Sequence, residues 1–217
     1  MCGRFTLTAS ADDVAAEFEV PDPPLLQTRY NVAPSQVIAV VGLKPDGKRR
    51  GIALLRWGLV PNWAADPNTG PRPINVRAES IVHKFGAILR ENRCLIPADG
   101  FYEWKTEGKK KTPQRFTLKT GKPFAFAGLW DVWGEGKQKL VTCCLVTTEA
   151  NAVVRPYHDR MPVIVPPESY AEWLAPETSM PQLTALLRPY PAEAMRSNEA
   201  NPAVNSPKND GPECLVA

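Results

Sequence analysis

Prolines are spread along the whole chain and limit how long any helix or strand can run. There are 23 prolines among the 217 residues, which is about twice the usual share for a soluble protein. They do not gather into one proline-rich linker. Proline lacks a backbone N–H and interrupts both helix interiors and central strands. This distribution therefore favours many short elements joined by loops and argues against a helical bundle.

Four short helices are predicted, one directly after a capping-box pattern at residues 10–13 and three at residues 78–92, 167–174 and 181–187. In the first helix, Val14 and Phe18 lie one turn apart. In the second, Ile81, Phe85, Ile88 and Leu89 share one face. The last two segments begin with proline, which suits the first turn of a helix.

Strand patterns are more numerous, at residues 5–7, 36–41, 51–57, 93–96, 100–105, 115–118, 124–130, 139–147 and 161–164. Turns rich in glycine and lysine separate several of them, which indicates antiparallel hairpins. The order of elements is not a regular alternation of strand and helix. The predicted fold class is therefore α+β, with residues 1–217 as one domain in which antiparallel sheet predominates and helices pack outside it.

The net charge of the chain is only mildly basic, at +3. Such a charge permits contact with a polyanion but does not require it. Two basic clusters occupy residues 44–50 and 105–115. Each contains glycine and lies between apolar stretches, so both are predicted to be solvated hairpin tips.

Several classes of protein are disfavoured by composition. The longest apolar runs, at residues 123–130, 140–146 and 161–165, are too short to span a bilayer. The first residues lack the basic and apolar regions of a signal peptide. Five cysteines without a CxxC pair, and only two histidines, give no zinc pattern. The odd cysteine count favours a reducing cytosol, so we expect a cytoplasmic protein with no membrane contact and no metal.

Sequence signatures of common cofactor sites and nucleophiles are also missing. The chain has no GxGxxG, GxxxxGK[ST], HExxH or GxSxG pattern. No cofactor is therefore expected, and any chemistry must come from side chains.

Cys2 follows the initiator methionine and is the first candidate nucleophile. Aminopeptidases remove Met1 when the next residue is small, and removal would leave an α-amine and a thiol on one residue. Their ordinary pKa values are about 7.7–8.0 and about 8.5, so both groups are partly active at neutral pH. The amine can condense with an aldehyde, and the thiol can then close a thiazolidine ring. An internal cysteine cannot do this, because its nitrogen is an amide. A chance cysteine at this position is the alternative.

Asn75 and Arg77 precede the second predicted helix. Backbone N–H groups and the dipole at a helix entrance favour a phosphate, and these two side chains would add donors. Being two residues apart, they point the same way if the segment is extended. Helix capping by Asn75 and a solvated surface Arg77 are the alternative.

Glu103 lies among aromatic residues in a predicted strand, next to Trp104. Burial there would raise the pKa of the carboxyl, as a general acid/base near neutral pH requires. The alternative is an edge-strand glutamate that faces water. Trp104 could stack on a nucleic-acid base, although most tryptophans are core residues.

His158 and Arg160 lie in a predicted loop ahead of a strand. His158 is the best proton carrier near neutral pH, and Arg160 could provide a second phosphate contact. His83 falls away from the apolar helix face and is predicted to be solvated. Trp57 is predicted to lie in the core, whereas Trp63, in a polar loop, is predicted to be exposed.

Taken together and in order, seven segments and the tail resemble the SRAP family, the SOS response-associated peptidases or abasic-site processing proteins. The segments are Met-Cys-Gly-Arg-Phe at 1–5, Tyr-Asn-Val-Ala-Pro at 30–34, Trp-Gly-Leu-Val-Pro at 57–61, Asn-Val-Arg-Ala-Glu-Ser at 75–80, Arg-Cys-Leu-Ile-Pro-Ala-Asp-Gly-Phe-Tyr-Glu-Trp at 93–104, Phe-Ala-Gly-Leu-Trp at 126–130, His-Asp-Arg-Met-Pro at 158–162 and the tail at 204–213. Each is weak alone, but the ordered combination is specific.

The resemblance implies a compact α+β domain built on antiparallel, partly barrel-like sheet with flanking helices. It also implies binding to single-stranded DNA, or to a single-strand/double-strand junction, that contains an abasic site. Cys2 would attack the ring-opened sugar and form a thiazolidine DNA–protein crosslink by lyase-like Schiff-base chemistry. The protein would be a cytoplasmic monomer that associates with the nucleoid during DNA damage.

The resemblance also assigns roles to residues. Asn75 and Arg77 would contact the lesion and its phosphates, and Glu103 and His158 would act as acid/base groups beside Cys2. The remaining predicted DNA contacts are Arg4, Arg160, Trp63 and Trp104.

Two other functions remain open from the sequence. Cys2, His158 and Glu103 could act as nucleophile, base and orienting group of a cysteine-type peptidase, including self-cleavage ahead of Cys2. A non-catalytic nucleic-acid-binding module is the second alternative. A DNA adduct that survives denaturing electrophoresis separates these possibilities.

Overall fold

A computed structural model describes residues 2–70, 72–108 and 110–215. Within them the strands are β1 (Phe5–Leu7), β2 (Arg29–Val32), β3 (Val37–Leu43), β4 (Arg50–Trp57), β5 (Asn75–Arg77), β6 (Arg93–Ala98), β7 (Gly100–Glu107), β8 (Lys110–Leu118), β9 (Phe124–Trp133), β10 (Leu140–Glu149), β11 (Arg160–Pro162), β12 (Ile164–Val165) and β13 (Met195–Glu199). The α-helices are α1 (Ala11–Phe18), α2 (Ala78–Glu91), α3 (Tyr170–Leu174) and α4 (Met180–Ala185). Short 3₁₀ turns occupy Gly136–Gln138, Pro167–Ser169, Ala192–Ala194, Pro202–Asn205 and Pro212–Cys214.

The smaller sheet runs in the order β13-β8-β7-β1-β2, and all its neighbouring strands are antiparallel. The β7–β8 hairpin closes between Glu107 and Lys110. In the larger sheet, the β3–β4 hairpin closes between Leu43 and Arg50. The cluster at residues 44–50 is therefore confirmed as a hairpin tip. The cluster at residues 105–115 lies on the second hairpin, but most of it belongs to β7 and β8, and Arg115 is half-buried.

The larger sheet contains a closed ring of five strands. The path β10-β4-β3-β6-β9 returns to β10, because β10 pairs with both β4 and β9. Strand β10 is parallel to β4 and β5, and the other pairings are antiparallel. The prediction of an α+β fold with antiparallel, partly barrel-like sheet is confirmed.

Alternate side chains of the ring strands point into two different cores, as the period of two in a strand requires. On β10, Cys144 and Val146 pack with the helices, whereas Cys143 and Leu145 face the core that contains Trp57. This second core also receives apolar residues of the smaller sheet, including Phe5, and of the segment before β1, including Cys2. The candidate nucleophile therefore lies at the junction of the two sheets.

The four predicted helices are confirmed, with small differences in their bounds. Ser10 and Asp13 form the reciprocal capping box ahead of α1. Helix α2 is interrupted at Phe85, where φ is −134°. The third predicted helix is divided into a 3₁₀ turn and α3. None of the helices described is both long and apolar enough to cross a membrane.

Strand β1 is fixed at its C-terminal end by the carboxylate of Asp99, which is nearly buried. The carboxylate accepts hydrogen bonds from the Thr8 N–H and Oγ1, the Ala9 N–H and the Thr6 hydroxyl. It also pairs with Arg115 at 3.2 Å. The Asp99 carboxylate therefore holds β1, the loop that follows it and β8 together through hydrogen bonds and an ion pair.

We expect Asp99→Ala to lower the free energy of unfolding by on the order of 3 kcal/mol, because it leaves Arg115 and several donors without their acceptor. The shift in the urea midpoint measures this loss. Asp22→Ala, at an exposed position, is the matched control and should change the midpoint little. Equal midpoints for the two variants would contradict the anchoring role of Asp99.

Candidate active site

Three segments meet around Cys2: the residues before β1, strand β5 and strand β7. Pairing of β1 with β7 places the Arg4 carbonyl on the Tyr102 N–H at 3.0 Å. From β5, the Asn75 Nδ2 donates to the Cys2 carbonyl at 2.7 Å. The start of the chain is thus held by hydrogen bonds from two strands that are far apart in sequence.

The Cys2 thiol is fully buried and its Sγ donates to the Arg4 carbonyl at 3.7 Å. Burial raises the pKa of the thiol far above its ordinary value, and the negative charge of Glu103 raises it further. Glu103 directly follows Tyr102, whose N–H binds the same Arg4 carbonyl that accepts the thiol, so strand pairing places Glu103 near Cys2. At neutral pH the thiol is protonated, so it needs a base before it can attack.

Glu103 lies on β7, which is an interior strand, and its exposure is only 4%. Burial raises the pKa of its carboxyl to about 7, and the nearby Asp159 carboxylate adds to the increase. The structure therefore supports the buried alternative and not the water-facing one. A carboxyl with this pKa is present in both protonation states near neutral pH, as a general acid/base requires.

His158 lies in the loop between β10 and β11. Its Nδ1 accepts the Arg160 backbone N–H at 2.9 Å and also lies 2.8 Å from an Asp159 carboxylate oxygen. The first contact needs a lone pair on Nδ1 and the second needs a proton. Burial lowers the pKa of His158 despite the opposing charge of Asp159. We therefore take Nδ1 to accept the hydrogen bond from the Arg160 N–H and not to donate to Asp159. The proton of the neutral ring is then on Nε2.

Asn75 and Arg77 flank the buried Val76 on β5, so their side chains leave the strand on the same side, as predicted. The Arg77 side chain is exposed and makes no capping hydrogen bond at the start of α2. The Asn75 Oδ1 is shielded from solvent and has no hydrogen-bond partner among the described residues. The pair thus presents a buried acceptor next to Cys2 and an exposed cation two residues further along the same side of β5.

Arg4 and Trp104 are held by internal contacts. The Arg4 guanidinium donates to the Asn31 Oδ1 at 2.8 Å and to the Val204 carbonyl at 2.6 Å, and it lies 5.9 Å from the centre of the Trp104 ring. The Trp104 Nε1 donates to the Asn205 Oδ1 at 2.7 Å. These contacts show a structural role for both residues, and their contacts with DNA remain predictions.

Arg160 is also held internally. Its guanidinium forms a two-point ion pair with Glu79, at the start of α2, and donates to the Thr147 carbonyl at 2.7 Å. This pairing fixes the end of the loop that carries His158. The predicted phosphate contact of Arg160 remains a prediction.

Trp63 is 65% exposed, as predicted, whereas Trp57 is fully buried. The loop that presents Trp63 is fastened on both sides. The Asn62 N–H donates to the buried Asp131 at 2.7 Å, and the Trp133 Nε1 donates to the Ala64 carbonyl at 2.6 Å. A large ring held on a fixed loop is suited to stacking.

Comparison with known proteins identifies the family of the chain. A family model described as "SOS response associated peptidase (SRAP)" matches residues 1–207. The chain belongs to the SRAP family. The resemblance seen in the sequence motifs is thereby confirmed.

Individual relatives agree with this family over their full length. The SRAP chain is 44% identical over 226 residues to abasic site processing protein YoaM of Bacillus subtilis (strain 168), covering 100% of this chain and 98% of that protein. It is 28% identical over 225 residues to abasic site processing protein YedK of Escherichia coli (strain K12), covering 99% of each. A crystal structure of a protein from Bacteroides thetaiotaomicron has a TM-score of 0.89 and 25% identity, with both chains fully covered.

Sequence reasoning missed three polar side chains that support the SRAP site: Asn31, Asp99 and Asp210. Their partners lie up to 181 positions away in sequence, so no local pattern reveals the contacts. The one available signal is their place inside the family segments at 30–34, 93–104 and 204–213.

The five cysteines of the SRAP chain are free and buried: Cys2, Cys94, Cys143, Cys144 and Cys214. Burial raises the pKa of all five thiols, that of Cys143 to about 12. Little thiolate is then present at neutral pH, which makes such thiols unreactive on their own. Over the described ranges, no group of three or more His, Cys, Asp or Glu side chains is placed to hold a metal ion.

Proposed function

We propose that this protein captures abasic sites in single-stranded DNA as a thiazolidine crosslink through Cys2, after removal of Met1. The observation that carries the proposal is the convergence of Asn75, Glu103 and the Arg4 carbonyl on Cys2. The relatives described above are named abasic site processing proteins, and this name gives the substrate class. The capture itself is inferred from the chemistry of the site.

The bonds and protons of this reaction balance without any cofactor. The α-amine adds to the aldehyde carbon of the ring-opened sugar, and water leaves to give an imine. The thiol sulfur then adds to the same carbon while its proton moves to the imine nitrogen, which closes the ring. An imine alone would promote β-elimination and strand breakage, and thiol addition removes it before this occurs.

Glu103 is suited to move the thiol proton. The Cys2 thiol holds its proton at neutral pH, because burial raises its pKa. The Glu103 carboxyl has a pKa of about 7, so its ionised form can accept this proton and its protonated form can return it to nitrogen. We assign to neutral His158 a second role as acid/base group during opening of the cyclic sugar, in which its Nε2 would carry the transferred proton.

Asn75 has two functions in this proposal. Its Nδ2 holds the Cys2 carbonyl, while its buried Oδ1 lacks a partner in the described part of the chain. A buried acceptor without a donor is costly, and a hydroxyl of the abasic sugar would supply the missing donor. Arg77 then lies on the same side of β5 for an adjoining phosphate, and Trp63 offers a face for a neighbouring base.

The direct test is the intact mass of the mature chain before and after incubation with an abasic single-stranded oligonucleotide. We expect a gain equal to the oligonucleotide less one water. Protein that retains Met1 should show no gain, because its Cys2 nitrogen is an amide. A duplex of the same sequence should react poorly. An adduct on Met1-containing chains would contradict the aminothiol mechanism, and absence of any adduct would overturn the proposed function.

A cysteine-type peptidase would use Cys2, His158 and Glu103, but the site fits this function less well. Peptidase cysteines act as thiolates with a lowered pKa, whereas burial raises the pKa of Cys2. We therefore expect no turnover of generic peptides. Multiple turnovers that require Cys2 would favour the peptidase. Purely salt-sensitive binding without an adduct would favour a non-catalytic binding module.

We expect Arg77→Ala to weaken binding to single-stranded DNA of any sequence. A phosphate contact is independent of sequence, and its loss reduces the slope of log affinity against log salt by about 0.7 on a single strand. Fluorescence anisotropy across a salt series measures both effects. Arg90→Ala, at the exposed far end of α2, is the matched control. An unchanged affinity and slope for Arg77→Ala would rule out the phosphate contact.

A further inference from the structure

Asn31 is a fully buried polar side chain on β2 that joins three separate segments. Its Oδ1 accepts a hydrogen bond from the Arg4 guanidinium at 2.8 Å. Its Nδ2 donates to the carbonyls of Val204, Ser206 and Asn209 at 3.2, 2.9 and 2.7 Å. Both ends of the amide are therefore used, and one side chain connects the start of the chain with residues 204–209.

A second contact fastens the same C-terminal segment to β2. The Asp210 Oδ1 accepts the backbone N–H groups of Tyr30 and Asn31 at 2.6 and 2.7 Å. The other carboxylate oxygen pairs with the Arg29 side chain. The segment 204–210 is thus held at several points, and its carbonyls accept hydrogen bonds from the Arg4 guanidinium.

Arg4 connects the C-terminal segment with the Cys2 thiol through its side chain and its carbonyl. Its guanidinium is held by Asn31 and the Val204 carbonyl. Its own carbonyl accepts both the Tyr102 N–H, at 3.0 Å, and the Cys2 thiol, at 3.7 Å. Movement of the Arg4 side chain therefore moves the acceptor that orients the thiol.

We propose that Asn31 is a positioning residue for the Cys2 nucleophile and acts through Arg4, with Asp210 in the same role one contact further away. The inference rests on the proposed function. None of the hydrogen bonds of the Asn31 side chain goes to Cys2, so its effect is on geometry. Loss of its amide removes one hydrogen bond from each of three carbonyls and from the Arg4 guanidinium, which loosens both the C-terminal segment and Arg4. A displacement of the nucleophile by about 1 Å can slow a reaction by about 10²-fold.

The first measurement compares the single-turnover crosslinking rate with the affinity for an oligonucleotide that carries a tetrahydrofuran in place of the abasic sugar. We expect Asn31→Ala to lower the rate by at least about 10-fold and the affinity much less. Asp210→Asn retains the acceptor for two N–H groups and should reduce the rate by a smaller factor. If Asn31→Ala does not fold, Asp210→Asn decides the test.

Arg93→Lys is the matched control for a loss of stability. Arg93 is also buried and also donates to backbone carbonyls, including those of Leu89, Trp173 and Ala175. Lysine lacks the planar fork that reaches them. This variant should unfold at lower urea concentration and crosslink at the wild-type rate. If the crosslinking rate of every variant, including Arg93→Lys, falls in proportion to its loss of stability, the positioning role is overturned.

The second measurement needs no DNA: the rate at which iodoacetamide labels each cysteine, determined by mass spectrometry. We expect Asn31→Ala, or Asp210→Asn in its place, to speed labelling of Cys2 relative to Cys94, Cys143 and Cys144, which are equally buried. A uniform increase, or none, would overturn the inference. If wild-type protein forms no DNA adduct, the proposed function fails, and the labelling result still decides whether Asn31 holds Cys2.

Discussion

Replacement of Cys2 by alanine is expected to abolish the stable DNA adduct while leaving DNA binding near the wild-type level. Only residue 2 can present an amine and a thiol together, because the other four cysteines are internal and buried. The α-amine of the Cys2→Ala variant can still form an imine, but no sulfur is available to close the ring. The adduct should therefore be absent from denaturing gels and should appear only when borohydride reduces the imine.

Two further variants sharpen this expectation. Cys2→Ser should be nearly as defective as Cys2→Ala, because an oxazolidine hydrolyses more readily than a thiazolidine. Cys144→Ala removes a thiol from the core that faces the helices and should form the adduct normally. A stable adduct of Cys2→Ala without borohydride would falsify the assignment of Cys2 as the ring-closing nucleophile.

The elements that the sequence predicted well are those with strong local signals. Helix α1 has its capping box and α2 its apolar face, and both occur where expected. Strand β1 matches its predicted bounds, because its alternation of Phe5, Thr6 and Leu7 is a local strand signal. The common direction of Asn75 and Arg77 was conditional on an extended segment, and β5 meets that condition.

The strands that the sequence did not predict are formed by their neighbours. Strands β2, β5 and β13 have three to five residues and are rich in polar side chains, so they carry little β propensity of their own. Strand β5 exists because β10 pairs with it in parallel. Strand β8 begins five residues before the predicted start, because its polar residues continue the ladder with β7 to the hairpin tip.

The contacts of charged side chains were equally hidden from the sequence. Arg160 was predicted to contact phosphate, and the sequence did not reveal its ion pair with Glu79, 81 positions earlier in the chain. Glu103 shows the opposite case. Its aromatic neighbours left burial and exposure to water both open, and the interior position of β7 decides for burial. The residue types in a sequence can therefore suggest candidate functional side chains. Long-range packing decides which of these side chains form ion pairs and which have a shifted pKa.

Replacement of Glu103 by glutamine should slow crosslinking by about 10²-fold or more without abolishing it, because general acid/base groups contribute about 10²–10⁴-fold. The reaction persists because an aminothiol is intrinsically reactive toward aldehydes. The wild-type rate should rise as pH passes through about 7, where the Glu103 carboxyl ionises and becomes a base for the thiol. This part of the rise should be missing in Glu103→Gln, which keeps only the rise from the α-amine, near its pKa of about 7.7–8.0.

Stability should change with pH in the opposite direction to the rate. Folding raises the pKa of Glu103 from 4.5 to about 7, so the folded state binds the proton more tightly. The resulting stability is present below pH 4.5 and is lost as the pH rises through about 7. Glu103→Gln should lack this loss and become more stable relative to wild type at high pH. Single-turnover time courses test the effect on the rate, and urea midpoints over the same pH range test the effect on stability. The exposed Glu199→Gln is the control for both. Rates and midpoints of Glu103→Gln that match the control at every pH would show that Cys2 acts without Glu103.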